Sequence, residues 1–181
     1  MKIKKIWRHL KTITQHKLVV MKYCFRVGLY KQGLLHDLSK YSPEEFWRGV
    51  YYYQGNRSPN AAERETHGFS KAWLHHKGRN KHHFEYWIDF GIKKEDGLVG
   101  HKMPLEYVME MVMDRIAACK VYKGKDYTNR SALEYYEREK NFIVIHPETR
   151  KLLEKILHML AEKGEKKTFA YIRKLLKKGS Y

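Results

Sequence analysis

The chain has 181 residues, room for one domain with a sizeable core and a pocket but not for a second independent unit. Its 37 Lys and Arg against 20 Asp and Glu give a net charge of +17, which suits anionic partners such as nucleotides, nucleic acids, phosphorylated metabolites or acidic lipids. Two cysteines, Cys24 and Cys119, exclude a disulfide framework and favour a reduced, cytoplasmic setting. No signal-peptide core follows the basic start, and no apolar run approaches the roughly 18 to 20 residues of a membrane-spanning helix.

From Ile3 to about Tyr30, apolar residues recur every three or four positions, the period of an amphipathic helix, and His16 shares the inward stripe of Val20, Tyr23 and Val27. Gly33 punctuates the chain, and a short helix beginning near Leu34 is expected to carry His36 and Asp37 side by side, with Lys40 leaning over the same turn. Ser42-Pro43-Glu44-Glu45 reads as a helix start, Ser42 capping, Pro43 at the first position and Glu45 completing a capping box. An aromatic-rich helix from Phe46 to about Tyr53 follows, then a polar loop from Gln54 to Asn60.

Helical periodicity returns at Ala61, with Phe69, Ala72, Trp73 and His76 on one face. Gly78-Arg79-Asn80 breaks it, and a new helix near His82 would carry His83, Trp87 and Phe90. In that hairpin His76 and His83 point inward more convincingly than His75 and His82. Gly91 to Lys102 reads as a loop. Pro104 opens the strongest helix, Leu105 to about Tyr122, which carries Asp114 into apolar company one turn after Glu110. A buried carboxylate there needs a cation or hydrogen bonds. Helices are also expected over Ser131 to Lys140, from His146-Pro147 through Leu160, and over Thr168 to Lys177, with Phe142 to Ile145 the one strand candidate. The fold expected is all-α: a single domain with a core at about residues 15–120 and C-terminal helices at 129–178 packed on it.

A lone histidine on an apolar face is ordinarily a core residue, and His9, His67, His101, His146 and His158 are read that way. The set His16, His36, Asp37, His76, His83 and Asp114 differs because four elements each direct a polar residue toward the interior. Imidazoles and carboxylates suit iron, manganese, zinc or nickel without a thiolate. An aspartate can bridge two ions, Asp37 being best placed to do so, and two ions about 3.5 to 4 Å apart can assist a phosphoryl displacement.

Order and spacing of these residues resemble the HD-domain metalloprotein superfamily, in which a His, a His-Asp doublet and a later Asp sit on successive helices. His16 precedes His36 by 20 residues, Leu34-Leu35-His36-Asp37-Leu38-Ser39-Lys40 is similar to the family's Leu-Leu-His-Asp-Ile-Gly-Lys segment, and Asp114 matches the terminal acid. The stretch His76 to His83 with Tyr86-Trp87 resembles a bacterial and phage subgroup with added histidine ligands. Ser39 departs from the usual Gly, and no Gly-Tyr-Pro signature of cyclic-dinucleotide phosphodiesterases is present.

The resemblance implies an HD-like helical bundle binding two divalent ions. One would be held by His16, His36, Asp37 and Asp114, the other by Asp37, His76 and His83, with His82 as a substitute. It implies a phosphohydrolase in which a metal-bound hydroxide attacks a phosphate ester, a nucleotide among the candidates. Asp37 and Lys40 would be catalytic. Lys40, Arg79 and Lys81 would meet the anionic substrate, and Glu110 would orient a ligand histidine. Two other readings compete: a mixed-valent di-iron oxygenase with the same ligands, and a non-catalytic nucleic-acid-binding protein whose basic helices (Lys2 to Lys11, Lys166 to Lys178) follow phosphates.

Overall fold

The computed structural model describes residues 3–181; Met1 and Lys2, where the basic N-terminal stretch begins, lie outside them. Eight α-helices order the described chain: α1 (Ile3–Val27), α2 (Tyr30–Leu35), α3 (Pro43–Tyr52), α4 (Pro59–His67), α5 (Lys71–Lys77), α6 (Leu105–Lys123), α7 (Ser131–Glu139) and α8 (Pro147–Lys178). The architecture is an all-α single domain, as the apolar periodicity predicts. No described helix is long and apolar enough to cross a membrane.

Helix α6 is the centre of the core. Val108, Met109, Val112, Met113, Ile116 and Ala117 are fully buried around most of its circumference, against α1, α7 and α8. Burial over most of its circumference explains why its apolar residues form no single stripe. The inward stripe of α1 lies against α6 through Val20, Cys24 and Val27 and against α3 at His9, while α3, α4 and α5 pack on one another. Three hydrogen bonds to Glu63 hold this second layer. Arg48 Nη1 meets Glu63 Oε1 at 2.8 Å, and the other Glu63 oxygen accepts from Ser70 Oγ (2.6 Å) and the Ala72 amide (3.3 Å), so a buried carboxylate on α4 fixes the start of α5.

Several boundaries differ from expectation. The first helix stops at Gly28, whose φ of 92° favours glycine, rather than continuing to Tyr30. Gly33 lies inside α2, where it permits close approach: a Cβ would stand 3.0 Å from Cys24 Cβ and 3.1 Å from the Phe25 ring. Helix α2 ends at Leu35, so His36 and Asp37 occupy the turn before a 3₁₀ segment, Leu38–Tyr41, and not a helix starting near Leu34. The run from Ala61 is interrupted at Gly68 (φ 77°), which turns Phe69 out to solvent instead of onto the inward face.

The helix expected at His82 is absent. A 3₁₀ turn, Phe84–Trp87, leads into an antiparallel hairpin of β1 (Ile88–Phe90) and β2 (Leu98–Gly100), register Ile88↔Gly100 and Phe90↔Leu98. Gly91 and Gly97, which bracket the loop between the two strands, carry that signal. Phe142 to Ile145 is irregular, so the strand lies elsewhere than expected. Helix α8 joins the two expected C-terminal helices across a non-helical residue, Gly164.

Of the five histidines read as core, His9 alone is buried; His67, His101 and His158 are exposed and His146 half-buried. His9 lies against Phe46 and Tyr53 (ring centroids 5.4 and 5.6 Å) with its Nδ1 unpartnered. Burial, reinforced by the Lys40 charge, lowers its pKa from 6.5 to about 4. The unfolded chain therefore binds the extra proton between those values, and stability falls with pH through that window by up to about 3 kcal/mol. His9→Phe is expected to shrink the drop in urea midpoint between pH 7 and pH 4; an unchanged drop would place the acid sensitivity elsewhere.

Candidate metal centre

Five segments meet at the centre. Helix α1 supplies His16, the turn after α2 supplies His36 and Asp37, and α5 supplies His76. The irregular stretch before β1 supplies His82 and His83, and α6 supplies Glu110 and Asp114. Lys17 reaches from α1 to cap the turn, its Nζ donating to the carbonyls of Leu34 and His36 at 2.8 Å each. Asp37 has φ 54°, the single positive φ outside glycine among the described residues. That left-handed conformation is one aspartate tolerates, and the surrounding contacts hold it there.

Two clusters share Asp37. In the first, Asp37 Oδ2 lies 3.2 Å from His36 Nε2 and 3.6 Å from His16 Nε2, while Asp114 Oδ1 lies 2.9 and 3.7 Å from His16 Nε2 and His36 Nε2. In the second, Asp37 Oδ1 lies 3.2 Å from His76 Nε2 and 3.4 Å from His82 Nε2, with His83 Nε2 3.0 Å from His76 Nε2. Two donors about 2.1 Å from a common divalent ion at tetrahedral or octahedral angles are about 3.0 to 3.4 Å apart, and these spacings cluster around that range.

The donor atoms also lack other work. Nε2 of His16, His36 and His82 and Oδ1 of Asp37 are buried without a hydrogen bond, although His16 Nε2 is near Asp114. Four orphaned polar atoms aimed at one another are costly unless a cation or water occupies the space between them. The residues fit a divalent metal.

Carboxylates behind the rings set the tautomers. His36 Nδ1 donates to Glu110 Oε1 at 2.8 Å, and His82 Nδ1 stands 3.2 Å from the same oxygen, so one acid on α6 holds a histidine of each cluster. His76 Nδ1 donates to Glu45 Oε2 at 2.8 Å, with Ser39 Oγ and Asn80 Nδ2 beside it at 3.2 Å each. Each Nε2 is thereby left free to bind an ion. The third His36–His82–Glu110 grouping is this supporting layer.

Charge follows the same plan. Burial alone would raise the carboxyl of Asp37, but His36, Lys40 and His76 outweigh it and hold it well below the usual carboxylate range. At Asp114 burial is likewise overcome, chiefly by hydrogen bonds with His16 and His36. Burial, then the neighbouring His82 and His76, pushes His83 well down, keeping it neutral. At His36 the acids outweigh burial and raise the ring well above its ordinary value. Protons on His36 answer a demand for positive charge that a divalent ion would meet in their place.

All the residues expected as ligands come together, and His82 belongs to the second cluster beside His83 rather than standing in for it. Lys40 Nζ meets Asp37 Oδ2 at 2.5 Å. Arg79 is exposed and donates to the His75 carbonyl (3.3 Å), while Lys81, also exposed, lies 5.9 Å from the ring centres of Tyr86 and Tyr107. Glu44 contacts His75 outside the centre (3.1 Å). Glu45 is the residue sequence reasoning missed. Ser42 does accept from its amide (3.4 Å), but its carboxylate bonds His75 and His76 in place of closing a capping box.

A family model matches residues 5–159, and its description is a family of unknown function (DUF5662). No curated protein and no solved structure matches the chain. Because the matched stretch spans most of the sequence and contains every residue of both clusters, the chain belongs to the DUF5662 family.

Proposed function

We infer that the chain is a metal-dependent phosphohydrolase of the HD kind, acting on a phosphate ester, with nucleotides among the candidates. The observation that carries this reading is Asp37, one carboxylate whose two oxygens face two different groups of buried imidazole nitrogens. Bound there, two divalent ions would supply Lewis acidity and an activated water for displacement at phosphorus.

The chain's own residues do the rest. Glu110 and Glu45 hold the ligand rings in one tautomer and orientation. Burial disfavours the charge on Lys40, yet Asp37 and Asp114 outweigh it and raise its pKa, so the ammonium stays charged. Its side chain is partly open to solvent, which lets it meet the charge of a phosphoryl group beside Asp37. The +17 net charge draws anions toward the site.

Elemental analysis combined with a screen of nucleotides and phosphate esters tests the reading, comparing wild type with Asp37→Ala. Metal-dependent release of phosphate that the variant lacks is the expected result. After anaerobic iron loading, a mixed-valent electron-spin signal with substrate-dependent oxygen uptake would replace the hydrolase by an oxygenase. Oligonucleotide binding that ignores both chelation and Asp37→Ala would replace it by a binding protein.

Trp73 provides an optical report. Its ring stacks on His76 (centroids 5.6 Å) and meets His83 edge-on (4.7 Å). Nickel or manganese entering the second cluster is expected to quench its emission, with the quench largely lost in Trp73→Phe. Quenching that survives unchanged in that variant would locate the ion elsewhere.

A further inference from the structure

Helix α1 carries a second apolar stripe, on its outer face. Ile3, Trp7, Leu18 and Phe25 are separated by 4, 11 and 7 residues, which places them within about 60° of one another around the helix. All four are exposed. Helix α2 extends this surface: Gly33 lies against Cys24 and Phe25, and the Tyr30 ring packs 5.3 Å from that of Phe25. The following turn returns along α1 until Tyr41 Oη reaches Thr14 Oγ1 (3.1 Å). At the end of α2 and on that turn, Leu34, Leu35 and Leu38 are 55%, 54% and 49% exposed, while His36 and Asp37 between them are 2% and 1% exposed. The doublet faces inward and its leucines face solvent.

Charge on the same elements is one-sided. Residues 3–43 contain nine Lys and Arg against a single acid, Asp37, and that acid is buried in the metal centre. Lys11, Lys22 and Lys31 are exposed along α1 and α2, while Arg26 is taken up by Glu165 of α8 (3.3 Å). Contiguous exposed aliphatic and aromatic side chains bordered by cations, with no surface acid among them, mark a surface made for a partner.

We propose that the face formed by α1, α2 and the Leu38–Tyr41 turn docks on an anionic phospholipid bilayer, inserting its leucines and Trp7 at the headgroup level. Lysines and arginines supply attraction to acidic headgroups, and the leucines, phenylalanine and tryptophan supply burial at the acyl boundary. Nucleic acid offers aliphatic side chains little, since its single strands are bound by base stacking and backbone charge. A second copy would set two such cationic faces against each other. Docked in this way, the turn bearing His36 and Asp37 lies at the membrane plane.

The test uses the full chain with sedimented vesicles of pure phosphatidylcholine and of phosphatidylcholine with 30 mol% phosphatidylserine. Wild type is expected to partition onto the anionic vesicles at least about tenfold better than onto neutral ones. Leu34→Ser/Leu35→Ser/Leu38→Ser should lower that partition about tenfold or more with unchanged circular dichroism and metal content. Leu18→Ser/Phe25→Ser, on the face of α1 opposite His16, should do the same and serves if the triple variant misfolds. Acyl-chain-brominated lipids should quench a part of the emission that Trp7→Phe removes. Equal partition on both vesicle types, or leucine variants that bind as wild type does, would overturn the proposal. So would tighter binding to an oligonucleotide through Lys22 and Lys31 with the leucines irrelevant, or a leucine-dependent dimer in light scattering.

Discussion

Replacing Asp37 by alanine is expected to empty both clusters at once. The carboxylate is the one group common to the two sets, Oδ1 facing His76 and His82 and Oδ2 facing His16 and His36, so no other single substitution removes a donor from each. Bound metal after reconstitution should fall from about two ions per chain to a small fraction of one, and metal-dependent hydrolysis should fall with it by about 1,000-fold or more. One further variant separates ligand loss from backbone strain. Alanine at φ 54° costs on the order of 1 kcal/mol, whereas glycine and asparagine adopt this conformation readily. Asp37→Gly should therefore be better folded than Asp37→Ala yet equally metal-free. Elemental analysis and thermal melts of the three proteins check this. Retention of one full ion in Asp37→Ala would show that the clusters do not share a bridge.

How much of this was legible in the sequence depended on whether a residue sat on a long element. His16 and Asp114 were readable because α1 and α6 each run for many turns, so the 3.6-residue period states which face is inward. Ser42 and Pro43 likewise marked the start of α3 correctly. The doublet's partners were readable by type and order, but its backbone was not, because a short helix and a left-handed turn leave similar apolar flanks. His82 and His83 were misplaced for a related reason. They precede a hairpin, where helical phase says nothing, and extended backbone at His83 lets neighbouring rings, 4.1 Å apart, enter one cluster. Glu45 was hidden by a local explanation. The capping pattern assigned its carboxylate a task three residues away, and only the approach of α5 showed that it reaches 31 residues onward to His76. The exposed leucines at positions 34, 35 and 38 were equally opaque, since apolar residues beside buried ligands suggest burial themselves.

The two supporting carboxylates should be separable by metal content, and this is the sharpest check on the assignment of two positions. Glu45 touches His76 of the second cluster together with the outlying His75, while Glu110 touches His36 of the first cluster and His82 of the second. Carboxylates that orient ligand histidines commonly account for 10- to 100-fold in metal affinity, on the order of 2 kcal/mol each. Glu45→Gln keeps the shape of the side chain but weakens its hold on His76 Nδ1, so affinity should drop at the second position alone. That protein should retain one ion among His16, His36, Asp37 and Asp114, and lose most of the Trp73 quench at low metal. Glu110→Gln should weaken both positions together while leaving saturating quench intact. Calorimetric titration with manganese, read beside Trp73 emission, distinguishes the patterns. If Glu45→Gln lost both ions, or Glu110→Gln lost only one, the division of the centre about Asp37 would be wrong, because each carboxylate acts only through the rings it touches.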